Sequence, residues 1–169
     1  MKITIVDEND TEVGQKERDE LTSEDIYRVS SLWVTNSKGE ALLARRAFSK
    51  KKSPGLWGPA VAGTVEAHET YEDNILKETR EEIGVILAKE DLRKGPKVRR
   101  ATPGNNYFGQ WYFATIDKKL EEFVFQEEEV AALQWISVAD FRQTFAKHPE
   151  EFLPSTPDWI TIVLTGHKI

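Results

Sequence analysis

The chain has 169 residues, of which 39% are hydrophobic and 10% aromatic, so its composition suits one folded domain over residues 1–169 and excludes a disordered chain. It contains no cysteine, which excludes disulfides, zinc–thiolate sites and cysteine nucleophiles. Its formal net charge of -6 argues against binding to a nucleic-acid polymer, whose phosphates would repel it. The segment "MKITIVDEND" turns acidic too soon for a signal peptide, and no apolar run reaches the ~18 residues of a membrane span. We therefore expect a cytoplasmic protein without membrane contact.

The first part of the chain is predicted to form two hairpins. Residues 1–25 make an N-terminal hairpin extension, with two short strands around a polar turn at Asn9 and Asp10. A strand over residues 27–35 leads into the turn "NSKG", and "EALLARR" returns as the next strand. The segment "AFSKKKSPGLWGP" combines lysines with prolines and glycines, which predicts a loop.

A helix is predicted between Thr70 and Gly84. Thr70 suits the N-cap, Asp73 completes a shortened capping box, and Gly84 suits the left-handed position at which helices end. The apolar spacing predicts one buried face, which consists of Ile75, Leu76, Thr79 and Ile83. At ~100° per residue, three carboxylates share an arc of roughly 100° on another face, and these are Glu78, Glu81 and Glu82.

The rest of the chain is predicted to contain three strands and two helices. The strands are "KVRRAT", "YFGQWYFATI" and "EEVAALQWIS". The helices are "SVADFRQTFAKH", capped by Ser137, and "STPDWITIVLTGH", started by Thr156 and Pro157. Because strands and helices interleave, the predicted class is α/β or α+β, with one mixed sheet between helices. The histidines, among them His148 and His167, form no spaced pair that would indicate zinc.

The clustered glutamates have two interpretations. Carboxylates at positions i, i+3 and i+4 project from one side of a helix and offer oxygen ligands to a hard cation such as Mg²⁺. Alternatively, they form a solvated acidic face with ion pairs such as that between Lys77 and Glu81. The spacing alone leaves both interpretations open.

The wider pattern favours the metal. The segment "AGTVEAHETYEDNILKETREEIGV" resembles the Nudix box, here residues 63–85: a glycine, five residues, a glutamate, seven residues, then Arg-Glu ahead of Glu-Glu and a second glycine. The two glycines and four glutamates match, and they are Gly63, Glu69, Glu78, Glu81, Glu82 and Gly84. Lys77 stands in place of the arginine and keeps the charge without the planar fork. Thr79 stands in place of an aliphatic residue.

This resemblance implies the Nudix fold and a hydrolase reaction. The box would form a loop–helix–loop that binds Mg²⁺, or Mn²⁺ in its place. Glu78 and Glu82 would be the main ligands, Glu81 a ligand or the catalytic base, and Ala62 a ligand through its backbone carbonyl. Lys77 would belong to the catalytic site by holding the glutamates. The expected reaction is the hydrolysis of a diphosphate linkage in a nucleoside diphosphate derivative or a related small metabolite.

Outside the box, the sequence resembles the branch of the Nudix family that contains isopentenyl-diphosphate isomerase and its hydrolase-like bacterial relatives. The resemblance covers most of residues 2–141. Through it, "FQEEEVAALQW" aligns Glu127 with a metal-binding position and Glu129 with a catalytic acid/base position. The alternative for this acidic run is an edge strand whose charges discourage aggregation.

Three positions argue against the isomerase reaction. The isomerase has a catalytic cysteine before the box glycine, where this chain has Ala62. It has metal-binding histidines where this chain has Thr64 and Tyr27. Without a cysteine, its proton transfer lacks a donor–acceptor pair. The predicted function is therefore a Nudix hydrolase, and the alternatives are an isomerase-like protein and a non-catalytic nucleotide-binding Nudix module.

The predicted substrate is small, phosphorylated and nucleotide-like. Arg46, Lys51 and Lys52 of the basic loop would contact its phosphates. Trp57 and Trp111 would stack on its base, or else belong to the core. The group attached to the diphosphate is expected to be selected by "GNNYFGQWYF" and "HPEEFLPSTPDW". The oligomeric state stays open, with a homodimer among the alternatives.

Overall fold

The computed structural model describes residues 1–166, so His167 of the predicted last helix lies outside the described part of the chain. Within residues 1–166, nine strands form one sheet, and helices cover it. The strands are β1 Lys2–Val6, β2 Glu12–Glu17, β3 Ile26–Thr35, β4 Glu40–Arg46, β5 Trp57–Pro59, β6 Val61–Thr64, β7 Arg93–Thr102, β8 Asn105–Thr115 and β9 Val130–Ser137. The α-helices are α1 Tyr71–Ile83, α2 Val138–Lys147 and α3 Thr156–Gly166.

β3 lies at the centre of the sheet because both of its edges are paired. β8 runs parallel to it along one edge, and β1, β6 and β4 follow one another antiparallel along the other edge. β7 pairs with β8, β9 and β5 pair with β4, and β2 pairs with β1. The pairing of β3 with β6 places Ala62 opposite Ser31 and Gly63 opposite Ser30.

Alternating side chains of β3 divide the hydrophobic core between the two faces of the sheet. Leu32 belongs to one buried cluster, which contains Ile75 of α1. Trp33 belongs to the other cluster, and its ring centroid lies 5.4 Å from that of Phe141 in α2 and 5.9 Å from that of Trp159 in α3. Helices therefore cover both faces, which confirms the predicted mixed sheet between helices.

α1 begins and ends at the predicted residues. Thr70 and Asp73 form a reciprocal capping box, and Gly84 has the left-handed φ of 67°. The buried face differs from the prediction at two positions. Leu76 is only half-buried, whereas the polar Asn74 is fully buried. Apolar spacing could not predict this, because a buried amide depends on partners from other parts of the chain.

Two short strands lie where the sequence predicted none. β5 occupies the end of the predicted loop and pairs with β4 from Leu43–Pro59 to Arg45–Trp57. β6 follows after a single residue and pairs with β3. Both strands are short and contain glycine, so they show no clear alternation, and only their pairing with longer neighbours makes them strands. The other predicted strands and helices are confirmed.

The N-terminal hairpin extends the sheet and is tied to α1 by a half-buried carboxylate. Asp10, in the turn between β1 and β2, accepts hydrogen bonds from Nε of Arg28 at 2.7 Å and from the hydroxyl of Tyr71 at 3.0 Å. Lys97 of β7 pairs with the same carboxylate. Among the helices of residues 1–166, none combines the length and the apolar character that crossing a bilayer requires.

Candidate active site

Glu78 and Glu82 lie one turn apart on α1, and Glu78 packs directly against the backbone of β6. A Cβ atom added at Gly63 would lie 2.5 Å from both Cγ and Cδ of Glu78. Any side chain at residue 63 would therefore displace the carboxylate. The first glycine of the box is needed because the strand backbone and the glutamate approach each other so closely.

Both carboxylates are held where a negative charge is unfavourable. Burial raises the pKa of Glu78 to about 7, with Lys77 opposing this shift and Glu81 adding to it. Burial also raises the pKa of Glu82 to about 8, with Glu78 adding to the shift and a hydrogen bond from the backbone of Ala62 opposing it. Two incompletely compensated carboxylates fit a divalent cation, which would stabilise their charged forms.

Lys77 ties the loop before α1 to the helix. Its Nζ lies 2.6 Å from Oε1 of Glu66, 2.7 Å from Oε1 of Glu69 and 3.9 Å from Oε1 of Glu78. Burial alone would lower the pKa of Lys77, but hydrogen bonds to Glu66 and Glu69 outweigh this and raise it. The ammonium group therefore stays charged and holds the box glutamates.

A small cavity of about 40 Å³ brings residues from distant parts of the chain to Glu82. Ala62, Glu82, Glu129 and Arg46 are among the residues that line it, and we call it the glutamate cavity. Glu129 lies just before β9 and accepts a hydrogen bond of 2.6 Å from Nζ of Lys50 in the basic loop. Four of the predicted site residues thus meet at one place.

A second cavity, of about 400 Å³, carries positive charge. We call it the basic cavity, and Arg46, Lys52 and Arg100 are among its lining residues. It shares Arg46 and Leu153 with the glutamate cavity, so the two adjoin. Anionic groups of a ligand would therefore find positive side chains next to the glutamates.

A third cavity, of about 490 Å³, is mainly apolar, and we call it the aromatic cavity. Its floor is the sheet, where Ala62, Ser31 and Trp111 form one row across β6, β3 and β8. Its opposite wall is the C-terminal segment that includes Trp159 of α3. It shares Ala62 with the glutamate cavity and Arg100 with the basic cavity.

Comparisons with known proteins show the family to which this chain belongs. A model of the NUDIX domain matches residues 26–156. The chain belongs to the NUDIX domain family. It is 32% identical over 157 residues to an uncharacterized Nudix hydrolase (PA4841) of Pseudomonas aeruginosa, covering 92% of this chain and 87% of the relative. It is 29% identical over 144 residues to an isopentenyl-diphosphate Delta-isomerase of Escherichia coli, covering 85% of this chain and 77% of the relative.

A solved structure shares the fold of this chain. The crystal structure of DR0079 from Deinococcus radiodurans superposes on this Nudix chain with a TM-score of 0.74 and 26% identity, covering 87% of this chain and 90% of that one. The predicted Nudix fold and family branch are therefore confirmed. The predicted enzyme class, a Nudix hydrolase acting on diphosphate-type bonds, is confirmed at this level.

The remaining acidic residues of the Nudix site lie in more open surroundings. Glu81 is exposed and lies 4.0 Å from Arg80, so it stands apart from the half-buried Glu78 and Glu82. Glu127 is also exposed and does not line the glutamate cavity. Their roles as ligand or base stay predictions.

One group of three ligand atoms within 4.8 Å of one another occurs in residues 1–166, and it lies outside the Nudix box. It consists of His148, Glu150 and Glu151, all exposed, after α2. The box glutamates do not bring three such atoms so close together. Their fit to a cation therefore rests on Glu78, Glu82 and the backbone at Ala62.

The predicted substrate-binding residues fall into three settings. Arg46 and Lys52 line the basic cavity. Trp111 is only 3% exposed and belongs to the core, yet its edge lines the aromatic cavity. Lys51 is exposed. The ring of Trp57 packs against Arg45, with 5.7 Å between the guanidinium carbon and the ring centroid. Neither Lys51 nor Trp57 lines any of the three cavities.

Two residues near the site were not assigned a role from the sequence, and they are Arg100 in the cleft and the fully buried Asn74 of α1. Arg100 lines two cavities and pairs with Asp158 of α3, which closes one side of the aromatic cavity. Trp159 and Asp158 belong to the segment "HPEEFLPSTPDW", which was expected to select the group attached to the diphosphate, and both line the aromatic cavity. Asn74 did leave a signal, since it is a polar residue beside the apolar stripe of α1.

Proposed function

We propose that this Nudix enzyme is a Mg²⁺-dependent hydrolase that cleaves the diphosphate linkage of a small, nucleotide-like substrate. One observation carries the proposal: the glutamate cavity adjoins the basic cavity through Arg46 and the aromatic cavity through Ala62. Carboxylates for a cation, cations for phosphates and an apolar wall for an organic group thus follow one another along one cleft. A diphosphate attached to a ring system has the same order of groups.

Glu78, Glu82 and the backbone carbonyl of Ala62 would hold the metal. Mg²⁺ prefers oxygen ligands and shares its coordination with substrate phosphates, and Mn²⁺ accepts the same ligands. When bound, the cation would offset the charge of the diphosphate and lower the pKa of a bound water. The buried carboxylates support this assignment, because their raised pKa values mark a place that lacks positive charge.

Glu129 is the residue we assign to accept the proton of the attacking water. It lines the glutamate cavity beside Glu82, and Lys50 fixes its carboxylate through the 2.6 Å hydrogen bond. Glu81 is the second candidate for the base, and its exposure leaves it free to meet the substrate. Arg46 and Arg100 would bind phosphate oxygens, which suits a reaction that depends on positioning and charge stabilisation.

The aromatic cavity favours a base or a sugar over a hydrocarbon chain. Tyr107, Trp111 and Trp159 line this cavity, so a planar group bound there would contact aromatic side chains. Ser31 and Ser155 also line the cavity, and their hydroxyls are able to hydrogen-bond to a base or a sugar but not to a hydrocarbon chain. We therefore place the organic group of the substrate in this cavity.

A substrate screen tests the proposal. Nucleoside diphosphates and triphosphates, nucleotide sugars, dinucleoside polyphosphates and prenyl diphosphates are incubated with the enzyme, and released phosphate or nucleoside monophosphate is measured with Mg²⁺ and with a chelator. We expect Mg²⁺-dependent turnover of at least one nucleotide. Tight nucleotide binding without turnover at saturating Mg²⁺ would instead support a non-catalytic binding module.

The isomerase-like alternative is favoured by one observation, the 29% identity to a protein named isopentenyl-diphosphate Delta-isomerase. Against it stand Ala62, Thr64 and Tyr27 at the positions of the isomerase's cysteine and histidines. The side chain of Ala62 has no ionisable group that could transfer a proton. The ring of Tyr27 packs against that of Tyr107, with 5.6 Å between the centroids. Incubation with isopentenyl diphosphate in D₂O, followed by NMR, distinguishes the two, and we expect no exchange into the substrate.

A further inference from the structure

Asn74 occupies the centre of a buried polar network behind the box. Its side chain is fully buried, and its Nδ2 lies 3.0 Å from Oε2 of Glu69, 3.1 Å from the backbone oxygen of Thr64 and 3.4 Å from Oε1 of Glu78. On the other side, Oδ1 accepts a hydrogen bond from the hydroxyl of Ser30 in β3. Three acceptors surround one end of the amide, so these partners fix its orientation.

The position of Asn74 matters because Lys77 replaces the arginine that is usual in the Nudix box. A guanidinium carries five N–H donors in a planar fork and can hold two carboxylates at once. The ammonium of Lys77 makes its two short contacts to Glu66 and Glu69 and reaches Glu78 only at 3.9 Å. Within residues 1–166, the one hydrogen bond to the Glu78 carboxylate comes from Asn74.

We propose that Asn74 is a positioning residue that replaces the missing arginine donors by holding Glu69 and Glu78 together from behind the helix. Lys77 fixes the loop side of the box through Glu66 and Glu69, and Asn74 fixes the ligand side through Glu78. Ser30 fixes the orientation of the amide: its hydroxyl donates to Oδ1 of Asn74, so the NH₂ end of the amide faces the carboxylates. This inference rests on the proposed function only in assuming that Glu78 binds a divalent cation.

The experiment measures the affinity of the full chain for Mn²⁺, followed by the electron paramagnetic resonance of the free ion, so that no substrate is needed. Asn74→Ala should weaken binding by roughly tenfold or more, the range found when an outer partner of a metal ligand is removed. Adding Lys77→Arg to Asn74→Ala should restore affinity to within about threefold of the wild type, since the guanidinium supplies the lost donors.

A matched control comes from the same helix. Thr79 is equally buried, but its hydroxyl donates to the backbone oxygen of Ile75 at 2.6 Å and contacts no glutamate. Thr79→Val should leave Mn²⁺ affinity unchanged even if thermal stability shifts. If Asn74→Ala does not fold, Ser30→Ala serves in its place, because it keeps Asn74 and removes only the partner that orients the amide. We expect it to weaken binding in the same direction by a smaller factor.

The outcomes separate this inference from the function on which it rests. Wild-type affinity in Asn74→Ala, together with loss of binding in Glu78→Gln, would overturn the positioning role and leave the proposed metal site intact. A loss in Asn74→Ala that Lys77→Arg does not reverse would also overturn it, because a guanidinium cannot repair a mere packing defect. Unchanged affinity in Glu78→Gln would instead contradict the proposed metal site.

Discussion

The glutamate cavity and the aromatic cavity adjoin at Ala62 but are built in different ways. The proposed metal-binding groups come from residues 62–82, a short stretch that folds as a strand, a loop and a capped helix. The aromatic cavity takes its walls from β3, β7, β8 and the C-terminal segment, which are distant in sequence. The proposed metal ligands thus depend mainly on local geometry, whereas the proposed base Glu129 and the choice of substrate depend on how remote elements pack.

This difference has a mechanical consequence. The box around the proposed metal ligands is held by short, directional contacts, such as the ion pairs of Lys77 and the close approach of Gly63 to Glu78. The aromatic cavity is bounded by packing of large side chains, such as the rings of Trp111 and Trp159, whose centroids lie 5.4 Å apart. Substitutions in the first region should therefore affect every substrate, and those in the second should change the preference among substrates.

The largest expected effect tests the glutamate cavity. Glu82→Gln keeps the size of the side chain and removes the charge, so turnover should fall by roughly 10³-fold, which is about 4 kcal/mol of transition-state stabilisation. Because burial makes the charged form of Glu82 unfavourable, the metal-free variant should be at least as stable as the wild type. Turnover assays and thermal unfolding in chelator check both parts. A near-normal rate would refute the role of Glu82.

The next largest effect concerns the close approach of strand and helix. Gly63→Ala places a methyl group 2.5 Å from Cδ of Glu78, so the carboxylate must move. This displacement of the Glu78 carboxylate should lower kcat by about a hundredfold on every substrate. Gly14→Ala is the matched control, because nothing lies within 4 Å of a Cβ at that position. Equal activity in the two variants would contradict the account of Gly63.

A smaller and selective effect tests the aromatic cavity. Gly109 lies in its floor, and a Cβ there would lie 3.3 Å from both Tyr107 and Val98. Gly109→Val should raise KM by about tenfold for the best nucleotide substrate and leave Mn²⁺ affinity unchanged. Gly14→Val is the control. Loss of metal binding in Gly109→Val would show that the two regions are not independent.

The smallest effect concerns the contact between the regions. Asp10 joins Tyr71 of α1 to Lys97 of β7; burial alone would raise its pKa, but hydrogen bonds from Lys97, Arg28 and Tyr71 outweigh this and lower it. A lowered pKa stabilises the fold above the unfolded value near 3.8, and this contribution is lost as pH falls through the folded pKa.

Asp10→Asn should therefore cost about 1 kcal/mol of unfolding free energy at pH 7, and the difference from the wild type should shrink below pH 3.8. Urea unfolding at neutral and acidic pH measures it. Asp19→Asn, at an exposed position, is the control and should change stability little. A cost that is equal at both pH values would contradict the electrostatic origin.

Much of the site could be predicted because its signals are local. Thr70, Asp73 and Gly84 act through contacts within one turn, so the ends of α1 were predicted correctly. The four glutamates and two glycines of the box lie at fixed spacings, and spacing is all that a helix needs to place side chains on one face. By contrast, β5 and β6 were missed because strand formation in short, glycine-containing segments depends on partners elsewhere in the chain.

The sequence by itself determined the family, the capped helix and the face on which Glu78 and Glu82 lie, because helix geometry converts spacing into position. Only the tertiary structure decided that Glu129 and Arg46 join Glu82 around one cavity, that Trp111 is both core and cavity wall, and that Asn74 supports Glu78 from behind. These contacts join residues that are far apart in sequence or buried against other elements. Their formation depends on the pairing of β4 with β9 and of β3 with β6 and β8, which no local pattern encodes.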